Sequence, residues 1–268
     1  MPSINKTIKL NNGKQMPVVG LGLWRTVETE QVILWALEAG YRLIDTAAMY
    51  GNEMETGNAV RKSRIARNEI FVTTKLWNSD QGYKTTLAAL DKSLNQLGMD
   101  YVDLYLIHWP NVAKRTREET WIAMEEIYKA GKAKAIGVSN YTTQQLEEMK
   151  TYAKVMPAIN QIELHPFWSR EELMGYCHNH NIAIEDYCPL SRGKKLQDGR
   201  ITTIAQKHGK TNAQIVLRWA LEHGNIVIPK SSHKERLKEN INLFDFELSK
   251  EDMMKLDALN ENYSIVSS

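Results

Sequence analysis

The sequence predicts a single-domain α/β protein: eight parallel strands, each followed by a helical stretch, closed into a (β/α)8 barrel of the TIM type, with an N-terminal β-hairpin and extra C-terminal helices. Three observations carry this. Short apolar runs alternate with amphipathic stretches along nearly the whole chain, as parallel strands joined by crossover helices require. Eight such runs occur, enough to close a barrel. The length of 268 residues suits a fold of typically about 250 residues, and no linker rich in Pro, Gly or Ser divides the chain over 1–268.

The elements follow in order. TIKLNNGKQMPVVG places two short runs around Asn12 and Gly13, a dipeptide favoured in tight hairpin turns. The eight strands read as VVGLGL from Val18, RLID from Arg42, IFVTTKL from Ile70, VDLYLIH from Val102, AKAIGVS from Ala133, AINQIEL from Ala158, IAIEDY from Ile182 and NIVIP from Asn225. Spacers with helical periodicity lie at 28–39, 85–97, 118–129, 143–152 and 171–178. The longer gap between Tyr187 and Ile226 holds two more, 202–208 and 212–222, and a tail helix occupies 250–259. IPKSSHKERLKEN, from Ile228, is a strand end entering a helix, and RKSRIAR, Arg61 to Arg67, reads as a solvated helix end.

Composition sets bounds on function. With 43% hydrophobic and 25% charged residues, the chain resembles an ordinary soluble globular protein with material for a sizeable core. A formal net charge of +2 is too small to argue for nucleic acid or a membrane surface as partner. Cys177 and Cys188 cannot build a disulfide framework, and the N-terminus shows no apolar signal core. No stretch approaches the roughly 18 apolar residues of a spanning helix. A cytoplasmic monomer with free thiols is expected. His178 and His180 lack further ligands at metal spacing, so no metal is expected.

Barrels of this kind place their chemistry at the C-terminal ends of the strands. Here those ends are polar: Asp45, Lys75, His108, Ser139 with Asn140, Gln161, Tyr187, and Lys230 with Ser231. Asp45, Lys75 and His108 directly end apolar runs, so they enter partly buried positions that demand partners. Tyr50 follows in the loop after Asp45. A phenol is a poor acid, with an ordinary pKa of about 10. A nearby lysine can stabilise the phenolate, a carboxylate can keep that lysine charged, and a histidine can hydrogen-bond a substrate oxygen. Asp45, Tyr50, Lys75 and His108 together can move a proton at neutral pH, whereas any one alone is equally well explained as a structural ion pair or strand-end polar group.

The segments GYRLIDTAAMYGNE, VTTKLW, DLYLIHWP, GVSNY, NQIELHP and IPKSS resemble the signature segments of the aldo-keto reductases, in order from about Val18 to Asn260. The short chain is most similar to bacterial members such as diketogluconate and glyoxal reductases. The resemblance implies a barrel enzyme that reduces aldehydes or ketones with NADPH, with Asp45, Tyr50, Lys75 and His108 as catalytic tetrad and Tyr50 as proton donor. It also implies that Ser139, Asn140 and Gln161 hold the nicotinamide carboxamide, that Tyr187 stacks on the ring, and that Gly22, Trp24, Asp45 and Leu190 lie beside the cofactor. Lys230, Ser231, Arg236, Glu239 and Asn240 fall to its adenosine end, where a helix N-terminus already favours an anion. Trp24, Trp77, His108 and Trp109 would surround a small-molecule carbonyl substrate. Asp186 and Cys188 depart from the family pattern, which has a small residue and a serine there. Read without the resemblance, the polar groups at 139, 140 and 161 serve equally well to satisfy backbone groups.

Other readings compete. An NADP(H)-binding sensor or regulatory subunit would use the same fold and cofactor residues. A barrel hydrolase would use Glu163, Glu185 or Asp186 and would leave the cofactor constellation without a purpose. GLGLW, Gly20 to Trp24, is no dinucleotide fingerprint, because Arg25 takes the third-glycine place and no helix opens there. The segment after His108 carries Lys114, Arg115 and Arg117, either a lure for anionic substrates or a solvated helix start. With little chain left after Asn260, a broad and open pocket is expected.

Overall fold

The computed structural model describes residues 6–266. Strands β1 (Thr7–Lys9) and β2 (Gln15–Pro17) pair antiparallel about the turn at Asn12 and Gly13. Gly13 takes φ +84°, a region that a Cβ makes costly. The Asn11 and Asn12 side chains donate to the carbonyls of Pro157 and Lys134, and Leu10 and Met16 pack with Leu43, Phe71, Leu104 and Ile226. The hairpin therefore plugs the N-terminal mouth of the barrel.

Eight parallel strands follow: β3 (Leu21–Gly22), β4 (Leu43–Asp45), β5 (Phe71–Leu76), β6 (Leu104–Ile107), β7 (Ile136–Ser139), β8 (Ile159–Glu163), β9 (Ala183–Tyr187) and β10 (Ile226–Val227). They pair in chain order. A parallel bridge between Val19 and Val227 brings the last strand against the first, with Gly20 N–H donating to Val227 O at 2.8 Å and Val227 N–H to Val18 O at 3.0 Å. The sheet closes there, and closely: a Cβ on Gly22 would lie 2.8 Å from the Ile228 carbonyl oxygen.

Among the described residues, ten helices surround the sheet or extend past it: α1 (Thr29–Glu38), α2 (Glu53–Lys62), α3 (Tyr83–Leu97), α4 (Lys114–Lys129), α5 (Thr143–Met149), α6 (Glu171–Asn179), α7 (Gly199–His208), α8 (Asn212–Glu222), α9 (Lys234–Ile241) and α10 (Lys250–Asp257). Thr142, Thr211 and Ser249 form capping boxes that set the starts of α5, α8 and α10. Helix α4 begins at Lys114, earlier than its apolar periodicity indicates, so Lys114, Arg115 and Arg117 belong to its first turn. Only the end of α2 was legible as Arg61 to Arg67, because its buried face is made of small residues such as Thr56, Gly57 and Ala59. Gly57 is the reason α2 sits so close to α3: a Cβ there would meet Leu97 O at 1.8 Å.

Strand parity positions the site. Side chains two apart share a face, so the rows 43–45, 71–75, 104–108, 135–139, 159–161, 183–187 and 226–230 each point into the barrel. Their N-terminal members, Leu43, Phe71, Leu104, Leu106, Ala135, Ile159 and Ile226, form one apolar cluster inside it. Their C-terminal members are Asp45, Lys75, His108, Ser139, Gln161 and Tyr187. The other parity, including Ile44, Val72, Ile107, Val138, Ile162 and Val227, packs against the helices, each full burial contributing roughly 1.5–3 kcal/mol.

Candidate active site

Lys75 is fully buried, and its Nζ donates to Asp45 Oδ1 at 2.5 Å and Thr46 O at 2.9 Å, with the Tyr50 hydroxyl at 3.5 Å. Burial opposes the charge, yet Asp45, Tyr50 and Glu185 around it outweigh burial and hold Lys75 above its ordinary pKa. Burial pushes Asp45 upward while Lys75 and Gln161 pull it down. Since both Asp45 oxygens accept N–H bonds, the two residues stand as an ion pair. Tyr50 ends a short helical turn, Ala48–Tyr50, that Gly51 closes in the left-handed region at φ +70°. Burial raises its phenol above the ordinary value, and Lys75 opposes without cancelling. In the protein by itself, burial thus outweighs the Lys75 charge and keeps the Tyr50 phenol protonated.

His108 is lowered to about 3, first by burial and then by the Lys75 charge, so its ring is neutral. Its Nδ1 is buried without a partner, which leaves Nε2 as the nitrogen toward the cavity. The ring meets Tyr50 edge-on at 5.7 Å and Trp77 at 5.2 Å. Trp77 is partly exposed and stands directly beside His108 at the catalytic end.

The cavity, about 880 Å³, is a groove. It runs from Tyr50, His108 and Trp109, past Trp24 and Tyr187, to Lys230, Ser231, Arg236, Glu239 and Asn240, with Gly22, Asp45, Ser139, Asn140, Gln161 and Leu190 also in its walls. Asn140, in the left-handed region at φ +64°, which Asn tolerates, donates to His108 O and Ser139 Oγ and accepts from the Tyr187 hydroxyl at 2.6 Å. That last bond fixes the Tyr187 ring along the groove. Ser139 Oγ donates to Gln161 O at 2.8 Å. At the far end, Ser231 Oγ accepts from His233 N–H just before α9, and the Tyr41 hydroxyl ties that helix down through Leu237 O at 3.0 Å. Arg236 is exposed on its first turn and forms no ion pair with any described residue.

Several wall residues escaped the sequence. After Tyr187 the chain turns sharply, with Cys188, Ser191 and Arg192 all at positive φ, which brings Cys188 and Arg192 into the groove. The Arg25 and Arg192 guanidinium groups lie over the Trp24 ring at 4.4 and 4.5 Å. The only signal for this was the Trp-Arg pair itself. Lys114, Arg115 and Arg117 do not line the groove, and Arg117 is bound by both Glu148 oxygens at 2.9 Å. The tail also returns: Glu163 accepts from Ser264 Oγ, Ile265 N–H and Val266 N–H, and Val266 lines the groove. The pocket is less open at that edge than the short tail implied. None of Glu163, Glu185 and Asp186 lines it, so the hydrolase reading has no carboxylate pair. Among the described residues, no three His, Cys, Asp or Glu side chains are placed to hold a metal ion.

Fold and site together describe a barrel oxidoreductase, and the comparisons agree. The profile of the aldo/keto reductase family matches residues 19–261, and the chain belongs to that family, an oxidoreductase acting on carbonyl groups. It is 48% identical to glyoxal reductase of Bacillus subtilis (strain 168), over 97% of this chain and 95% of that protein. An aldo-keto reductase from a Medee basin deep-sea metagenome library superposes with a TM-score of 0.94 at 45% identity, covering 96% of each chain. An aldo-keto reductase of Bombyx mori in complex with NADP has a TM-score of 0.92 at 37% identity, covering 97% of this chain and 94% of that one.

Proposed function

We propose that the protein reduces aldehydes and ketones to alcohols with NADPH, Tyr50 giving the proton. The observation that carries this is the buried Asp45–Lys75 pair beneath a protonated Tyr50, beside a neutral His108 at the closed end of a long groove. A nicotinamide dinucleotide fits the donor set. Hydroxyl and amide groups of Ser139, Asn140 and Gln161 line the floor near Tyr50, and the half-buried Tyr187 ring offers a stacking face. Lys230, Ser231, Arg236 and the free amides opening α9 suit a phosphate. The NADP complex of the Bombyx mori relative supports the same reading.

When bound, the reduced nicotinamide supplies the hydride. The substrate carbonyl oxygen takes its hydrogen bonds from the Tyr50 hydroxyl and His108 Nε2. As negative charge grows on that oxygen, Tyr50 passes its proton to it, and Lys75 stabilises the phenolate left behind. Asp45 keeps Lys75 oriented and charged throughout. Trp24, Trp109 and Met49 give the entrance an apolar wall, suited to small or aromatic aldehydes. Tyr50→Phe should lower kcat for NADPH-dependent aldehyde reduction by about 10² to 10⁴ while NADP+ still binds. Near-normal turnover at saturating NADPH would sink the assignment.

A further inference from the structure

Glu185 is a buried acid that the proposed reaction leaves unused. It stands in the inward row of β9 with no exposed surface. Its Oε2 accepts from Gln161 Nε2 at 2.6 Å, and the same nitrogen donates to Asp45 Oδ2 at 2.8 Å. Its other oxygen, Oε1, has no partner. An apolar side chain would occupy this place at lower cost, so a carboxyl group here calls for a reason beyond packing.

The reason lies in Gln161. Two acceptors claim both N–H bonds of one amide nitrogen, which settles by chemistry which end of the amide is nitrogen. Oε1 is left as the end toward the groove. A single bond would let the amide swing about the line from Nε2 to Asp45. Two bonds in different directions fix its plane. Burial, with the Asp45 charge, raises Glu185 to about 8, so it carries its proton at neutral pH, and a carboxylic acid still accepts at its carbonyl oxygen. From Gln161 the contacts run on without a break through Asp45 to Lys75 Nζ at 2.5 Å and the Tyr50 hydroxyl at 3.5 Å.

We propose that Glu185 is a positioning residue: it fixes Gln161 with Oε1 facing the groove as the acceptor for the carboxamide N–H of the nicotinamide, and joins that contact to the chain ending at Tyr50. The inference rests on the NADPH reading above.

The test compares NADP+ with adenosine 2′,5′-bisphosphate, which carries the adenosine and phosphate end without the nicotinamide, by calorimetric titration. Glu185→Met removes the acceptor at similar volume, and Glu185→Gln keeps a carbonyl acceptor. NADP+ binding should weaken about three- to tenfold in Glu185→Met, with the bisphosphate within about twofold of the parent. Glu185→Gln should restore NADP+ affinity to within about twofold. Glu185→Ala carries the same expectation if the Met variant does not fold. Unchanged NADP+ affinity in Glu185→Met, or equal weakening of both ligands, overturns the proposal, the second by showing a merely structural role. A parent protein that fails to bind NADP+ overturns the NADPH reading first, and this inference with it.

Discussion

Asp186 and Glu185 are neighbours on one strand with opposite surroundings, and parity is the cause. Glu185 points into the barrel. Asp186 points to the helix side, where, among the described residues, Asn225 Nδ2 is its one donor at 3.4 Å and its Oδ1 has none. Burial raises its pKa well above the ordinary carboxylate value. An unfolded aspartate loses its proton near pH 3.9, while burial holds the proton on folded Asp186 to higher pH, so unfolding releases a proton at any pH between the two values. Rising pH then favours the unfolded chain, from about pH 4 upward to the raised folded value. Asp186→Asn supplies a permanently neutral side chain of the same shape. Its melting temperature should exceed the parent's by about 2 to 4 °C at pH 7, with the gain shrinking towards pH 4. A gain of the same size at both pH values would mean that the proton is not the cause.

At the scale of elements, periodicity spoke clearly where side chains are large and fell silent where they are small. The eight strands were legible because Leu, Ile and Val recur on both faces, and the Asp45, Lys75 and His108 ends followed from where those runs stop. Helix α2 was mostly hidden because its packing face is Thr, Gly and Ala. The tail was the larger omission. Glu163 takes Ser264, Ile265 and Val266 and also His165 Nε2 at 3.2 Å, a pairing of strand end and C-terminus that no local pattern encodes. Burial opposes its charge, but these donors win and hold Glu163 below its ordinary pKa. The latch is therefore kept above the ordinary carboxylate range and is lost only as pH falls through that lowered value. Glu163→Gln would turn an N–H2 group towards backbone N–H donors. Amide exchange at Ile265 and Val266 should then rise about tenfold or more, with exchange in β5 and β6 unchanged. Parent-like protection of the tail in that variant would show that the carboxylate does not hold it.

For the whole molecule, the weakest line is the seam where the barrel closes. Strands β3 and β10 are two residues each, against six in β5, and few backbone bonds join them: Gly20 N–H to Val227 O, Val227 N–H to Val18 O, and Gly22 N–H to Pro229 O at 3.3 Å. The groove crosses this seam. Gly22 and Trp24 line it from the β3 side, while Ile228, Lys230, Ser231 and Arg236 line it from the β10 side. A ligand held by both sides acts as a staple over the place with the fewest bonds. On the NADPH reading, NADP+ at a hundred times its dissociation constant should stabilise the folded state by about 2.7 kcal/mol, which for a chain of this size corresponds to roughly 5 to 10 °C in melting temperature. The location of the effect is the sharper prediction. Protection from hydrogen exchange should rise most at Gly20, Gly22, Val227 and Ile228, and least in β6 and β7, whose pairing is already continuous. Adenosine 2′,5′-bisphosphate, gripped from the β10 side alone, should protect the seam less than NADP+ at equal saturation. Equal protection of seam and β6 by NADP+ would mean that the ligand tightens the barrel as a whole, and that the seam is not where its stability is decided.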